Sequence, residues 1–116
     1  MDAGHAVIAG GGIGGMAAAA ALARAGWRVT LFERRRQVAE LGAGLQMSPN
    51  ASRCLMHLGA FEAAERAGFL PRSAVLRDGL TGSEIFRAPL GVAATERWGA
   101  PYLHVHRSDL LDALTE

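Results

Sequence analysis

Lysine is absent from this sequence, and all twelve basic residues are arginine. Against eleven acidic residues they leave a formal net charge of +1, with no long block of either sign. A surface built for nucleic acid or an anionic membrane needs such a block, so neither partner is expected. The arginine-only usage reads as a composition bias rather than a device for phosphate recognition. No Gly-Lys pair occurs, which excludes a P-loop. Cysteine is nearly absent too: Cys54 stands alone, so no intrachain disulfide and no CxxC pair can form. That usage points to a reducing cytoplasm, and a lone cysteine in a helical apolar pattern is expected in the core. The longest uncharged stretch, 6–23, reaches the length of a membrane span, but five of its residues are glycines crowded between Gly10 and Gly15. Alanine and glycine make it too weakly apolar, and the glycines make it too poor a helix former at its centre, to insert. A secretory leader is not expected, because Asp2 precedes the apolar run and no basic segment does.

What is present fits one domain, or part of one: 116 residues, half of them apolar. His5 to Gly10 is a short apolar run with β-branched residues, cut off by glycines, and reads as a buried parallel strand. From Ile13 to Ala25 strong helix formers predict a short, tightly packed helix, with Gly26 as its left-handed stop. Arg28 to Glu33 is again β-rich, completing a strand-helix-strand unit with a right-handed crossover. A basic loop (Arg34 to Arg36), a glycine turn at Gly42 to Gly44 and an amphipathic helical region from about Asn50 to Ala67, broken at Gly59, follow. Two β-leaning runs between Ser73 and Arg87 flank Asp78-Gly79-Leu80-Thr81-Gly82, a hairpin signal. Tyr102 to His106 reads as another strand, and Ser108 as the cap of a helix that begins at Asp109 and still runs at Glu116. The expected fold class is therefore α/β, a partial Rossmann-like βαβ unit followed by a helical segment and a β-hairpin.

The spacing Gly10-x-Gly12-x-x-Gly15 falls between a strand and a helix, the context a dinucleotide fingerprint requires. Gly10 permits the tight turn, Gly12 lets the backbone approach a pyrophosphate, and Gly15 lets the helix pack close to the sheet. The N–H groups of Gly12, Ile13, Gly14 and Gly15, at the positive end of the helix, then face the diphosphate. Seventeen residues separate Gly15 from Glu33, at the end of the second strand, where a carboxylate can accept both hydroxyls of an adenosine ribose. Glu33 would repel a 2′-phosphate, which argues against NADP in this unit. Arg34 is expected over or beside the adenine, with a solvated loop cation as the alternative; Arg35 and Arg36 read as solvated. These residues do not by themselves choose between FAD and NAD. His104 and His106 share a strand face, but no third ligand stands at metal spacing, so no metal site is expected.

Leu41-Gly-Ala-Gly-Leu-Gln-Met-Ser-Pro-Asn-Ala51, Phe86-Arg-Ala-Pro-Leu-Gly91 and His106-Arg-Ser-Asp-Leu-Leu111 resemble, in order, stretches of the single-component FAD-dependent aromatic hydroxylases. Within that group the chain looks most like the salicylate and hydroxybenzoate branch. The resemblance implies an enzyme in which NADH or NADPH reduces FAD and oxygen is used to hydroxylate an electron-rich phenolic acid. It implies that Arg107 reaches the diphosphate or ribityl chain, and that Gly42, Ala43 and Gly44 pass close to the isoalloxazine. A permanently cationic fork at Arg107 suits a diphosphate on charge grounds as well. Relatives acting on hydroxynicotinate carry histidine where Gln46 stands. A glutamine can only hydrogen-bond, which favours the benzoate-type branch, with an ordinary polar strand residue as the alternative.

Hydroxylases of this kind are about three times longer, and their later Asp-Gly and Gly-Asp motifs have no counterpart here. Asp78-Gly79 is turn chemistry. The expectation is an N-terminal portion of an FAD-binding domain, with 1–34 as the dinucleotide unit and 35–116 as a truncated remainder, and no catalytic residue is assigned. The parent is expected to be cytoplasmic, to act on a small aromatic molecule, and to admit a homodimer. Two alternatives stand beside it: a NAD-dependent dehydrogenase half-domain, and a non-catalytic dinucleotide-binding remnant.

Overall fold

The structure, a computed structural model, describes residues 4–36 and 43–115. Leu41, Gly42 and Glu116, which entered the sequence reading, lie outside the described residues. The chain opens with strand β1 (His5–Ala9), helix α1 (Ile13–Arg24) and strand β2 (Arg28–Phe32). β1 and β2 pair in parallel, from His5 opposite Arg28 to Ala9 opposite Phe32. Gly26 follows the end of α1 at a φ of +88°, the left-handed stop its position predicted. The helix is less enclosed than the alanine run suggested, because none of its residues is fully buried. Alanine side chains are too short to reach far from the helix axis, and only Ile13, Met16 and Ala17 touch the main core.

Strand β3 (Gly44–Met47) leads into helix α2 (Pro49–Leu58) and helix α3 (Phe61–Ala67), which are separated at Gly59 with a φ of +75°. Proline at the first helical position of α2 costs no hydrogen bond, since that N–H has no partner within the helix. α2 buries Ser52 and Leu55, one turn apart. Cys54 lies about 200° round the helix from Ser52, so it is exposed rather than in the core.

Strands β4 (Ser73–Arg77) and β5 (Glu84–Pro89) form the expected antiparallel hairpin, with an irregularity between Leu76 and Arg77. Its turn is held by Asp78, whose Oδ1 accepts the backbone N–H groups of Leu80 at 2.8 Å and Thr81 at 2.9 Å. Helix α4 (Val92–Trp98) was not predicted; it is only seven residues long and its signal was hidden between the hairpin and Gly99. Strand β6 (Leu103–His106) pairs antiparallel with β3, Gly44 opposite His106 and Gln46 opposite His104. Helix α5 (Arg107–Thr115) then begins two residues before the predicted start. The strand passes into it without a loop because the Arg107 N–H donates to the Ala43 carbonyl at 3.2 Å, which places Ser108 inside the first turn rather than at a cap.

The core joins α2, α3, β6 and α5 through Leu55, Phe61, Ala64, Leu103, Val105, Leu110, Ala113 and Leu114. It does not extend beneath the far face of the β1–β2 pair, where Val7 and Phe32 are each 63% exposed. The hairpin likewise leaves Leu76, Ile85 and Phe86 in solvent. The shape follows: a radius of gyration of 17.3 Å, where a compact chain of this length would have about 13 Å. No helix among the described residues is long and apolar enough to cross a membrane.

Candidate functional site

The glycine turn is built by two close approaches. Gly10 adopts a φ of +110°, and its N–H donates to the Phe32 carbonyl at 2.7 Å, tying the turn to the end of β2. A Cβ on Gly15 would lie 1.9 Å from the Gly10 carbonyl oxygen, so the helix can sit this near the strand only because residue 15 has no side chain. Gly12 is the N-cap of α1, and Met16 N–H donates back to its carbonyl at 2.9 Å. The N–H groups of Ile13, Gly14 and Gly15 therefore occupy the first turn, where helix geometry supplies no acceptor and no side chain caps them. A Cβ on Gly14 would meet nothing within 4 Å among the described residues. With no acidic side chain in this turn, its partial positive charge is open to an anion.

Glu33 stands one residue beyond β2 and meets this turn directly. Its Oε2 accepts the Gly11 N–H at 2.7 Å, and its Oε1 accepts the Arg35 N–H at 3.1 Å. These backbone donors, that of Arg35 foremost, hold the Glu33 carboxyl below the usual glutamate range. A carboxylate has about four lone-pair sites, so these bonds leave it able to accept a ligand hydroxyl. Gly11 was overlooked in the sequence reading: its role depends on Glu33 folding back across the turn. A Cβ there would lie 3.0 Å from Oε2. Ala9, Gly10, Phe32, Glu33 and Arg34 line one groove of about 430 Å³. The fold thus brings Gly10, Glu33 and Arg34 to one place, at the carboxyl ends of two parallel strands beside a helix N-terminus, where dinucleotides sit in open α/β sheets.

Gly44 and Gln46 belong to a second groove of about 450 Å³ on the β3–β6 pair, together with Phe69, His104 and His106. Phe69 forms an isolated antiparallel bridge to β6 there, exchanging backbone hydrogen bonds of 2.9 Å with His104 in both directions. Phe69 and Tyr102 were not singled out by sequence, since neither belongs to a motif. Arg107 follows His106 directly at the start of α5, which packs against α1, and lines neither groove. Among the described residues no group of three His, Cys, Asp or Glu side chains is placed to hold a metal ion.

A family described as FAD dependent oxidoreductase matches residues 5–100. The chain is 41% identical over 110 residues to 3-hydroxybenzoate 6-hydroxylase of Polaromonas naphthalenivorans, a match covering 95% of the chain and 28% of that protein. It is 39% identical over 108 residues to 6-hydroxynicotinate 3-monooxygenase of Bordetella bronchiseptica, covering 93% and 28%. Among solved structures, the tetrameric form of 2-methyl-3-hydroxypyridine-5-carboxylic acid oxygenase superposes with a TM-score of 0.82 at 29% identity, over 99% of this chain and 29% of that one. Klebsiella pneumoniae HpxO complexed with FAD and uric acid gives 0.81 at 29% identity, over 95% and 27%. The chain spans under a third of the length of these relatives. The sequence relatives are monooxygenases and not dehydrogenases, and the dehydrogenase alternative is set aside.

Proposed function

Since the chain belongs to the FAD dependent oxidoreductase family, we propose that it is the FAD-binding N-terminal part of an NADH- or NADPH-dependent, oxygen-using hydroxylase of phenolic acids such as hydroxybenzoates. The observation that carries this reading is the bond from Gly11 N–H to Glu33 Oε2, which joins the glycine turn and the acid into one preformed groove. A turn that merely connected a strand to a helix would have no need of a carboxylate held across it. The open first turn of α1 and the space over Gly14 fit a diphosphate.

Bound FAD supplies the redox and oxygen-activating chemistry. The N–H groups of Gly12, Ile13, Gly14 and Gly15 would hold its diphosphate, with Gly10 shaping the turn. Glu33 would take the ribose hydroxyls and Arg34 would flank the adenine. Arg107 would add positive charge near the diphosphate or ribityl chain. Gly44, lacking a side chain, would leave room for the ring system, and Gln46 would hydrogen-bond at its edge. In this reading 1–34 is the dinucleotide unit and 35–116 begins the rest of the domain. The uncovered apolar faces at Val7, Phe32 and Phe86 support a larger parent domain that covers them. The parent would work in the cytoplasm on a small aromatic acid, with a homodimer as one assembly open to it.

The test is an absorption spectrum of the purified chain after incubation with FAD and gel filtration, beside a Gly12→Val control. Co-eluting flavin bands that vanish in the control are expected. A folded chain that retains no flavin but binds NAD would refute the FAD assignment.

A further inference from the structure

We propose that Tyr102 is a positioning residue that commits Gln46 to act as a hydrogen-bond donor in the β3–β6 groove, so that the groove selects planar rings presenting an acceptor atom. The inference rests on the flavin reading above and adds a determinant to the ring-binding part of the site. Antiparallel register sets Gln46 opposite His104, which leaves Tyr102, two residues earlier, diagonal to Gln46 on the same face. From there the Tyr102 hydroxyl donates to Gln46 Oε1 at 3.1 Å. The amide carbonyl is thereby engaged, and among the described residues nothing takes its Nε2, so the groove is offered two N–H donors.

Tyr102 is itself held on this face by its neighbours. Its ring meets His104 edge-on at 5.7 Å, and His104 meets Phe69 edge-on at 5.1 Å, a row of three rings of which His104 and Phe69 line the groove and Tyr102 stands beside it. With its carbonyl turned to Tyr102, the Gln46 amide leaves its donor end for a ligand. The matching chemistry is a ring carbonyl, ring nitrogen or deprotonated ring oxygen. Both the isoalloxazine edge and the oxygens of a phenolic acid carry such atoms.

The experiment compares the FAD-loaded chain with Tyr102→Phe, Gln46→Leu and the double variant. It reads the visible flavin bands and then the affinity for added 3-hydroxybenzoate by difference spectrum. If the flavin edge is the acceptor, Tyr102→Phe shifts the bands with FAD alone. If the phenolic acid is the acceptor, the bands hold and affinity for 3-hydroxybenzoate falls about three- to tenfold, the worth of one hydrogen bond. In either case Tyr102→Phe has no further effect on top of Gln46→Leu, which a merely structural tyrosine would not show. A folded Tyr102→Phe with wild-type bands and affinity overturns the proposal, as does an undiminished effect in the Gln46→Leu background. Where Tyr102→Phe unfolds, Gln46→Glu decides, since it keeps the Tyr102 bond but replaces donor by acceptor: a shift or loss supports the proposal and wild-type behaviour overturns it. A folded wild-type chain that takes up no FAD but binds NAD refutes the flavin reading instead, and is told apart by that first measurement.

Discussion

Replacing Gly15 by alanine adds a single methyl group at the point where α1 touches the strand turn. That methyl would sit 1.9 Å from the Gly10 carbonyl oxygen and 3.0 Å from its carbonyl carbon. Both are backbone atoms, so no side chain can swing aside, and the helix must retreat by more than about 1 Å to restore ordinary contact. Such overpacking costs about 2 kcal/mol, partly offset by the roughly 0.5 kcal/mol that alanine gains over glycine in a helix. At about 4 °C per kcal/mol for a domain of this size, the melting temperature should fall by about 6 °C. The same retreat draws the first-turn N–H groups away from the anion position, and FAD affinity should drop about tenfold or more. Gly14→Ala is the internal control, because its Cβ meets nothing; it should melt no lower than the wild type. The assay is a thermal melt by circular dichroism, followed by FAD titration at a temperature where all three chains are folded. A Gly15→Ala chain that melts with the wild type and binds FAD as tightly would refute the claim that this contact sets the geometry of the turn.

Three further outcomes follow from named contacts. Ser52 is fully buried and its hydroxyl has no hydrogen-bond partner among the described residues. Ser52→Ala should therefore stabilise the chain by about 1 kcal/mol, read as a raised melting temperature, whereas a loss would mean the hydroxyl is satisfied. Leu103 is fully enclosed between α3 and α5, and Leu103→Ala should cost about 3 kcal/mol, measured by urea denaturation. Glu33 is held ionised by the N–H groups of Arg35 and Gly11, so its folded pKa lies below its unfolded one. The stabilisation from this carboxylate is complete above the unfolded value and is lost as pH falls through the folded one. A pH titration by NMR should show the Gly11 amide proton moving with Glu33 only below the usual glutamate range, and Glu33→Gln should abolish that movement.

The part of the molecule that local sequence determined is the part whose chemistry is local. Glycines at 10, 12 and 15 between a β-branched run and an alanine run leave little choice but a strand, a tight turn and a helix. Asp78 likewise closes its hairpin with donors two and three residues away. The break at Gly59 and the stop at Gly26 were legible for the same reason, since each needs a left-handed backbone that glycine adopts without strain. Long-range pairing was not legible. Cys54 looked like core until the burial of Ser52 and Leu55 fixed which face of α2 turns inward. The start of α5 moved to Arg107 because Ala43, more than sixty residues earlier, supplies the acceptor for its N–H. Gly11 and Tyr102 entered the account only when Glu33 folded back across the turn and β6 lay beside β3. Sequence alone fixes backbone conformation where one residue's stereochemistry dominates; which distant donor meets which acceptor is decided when the strands and helices pack.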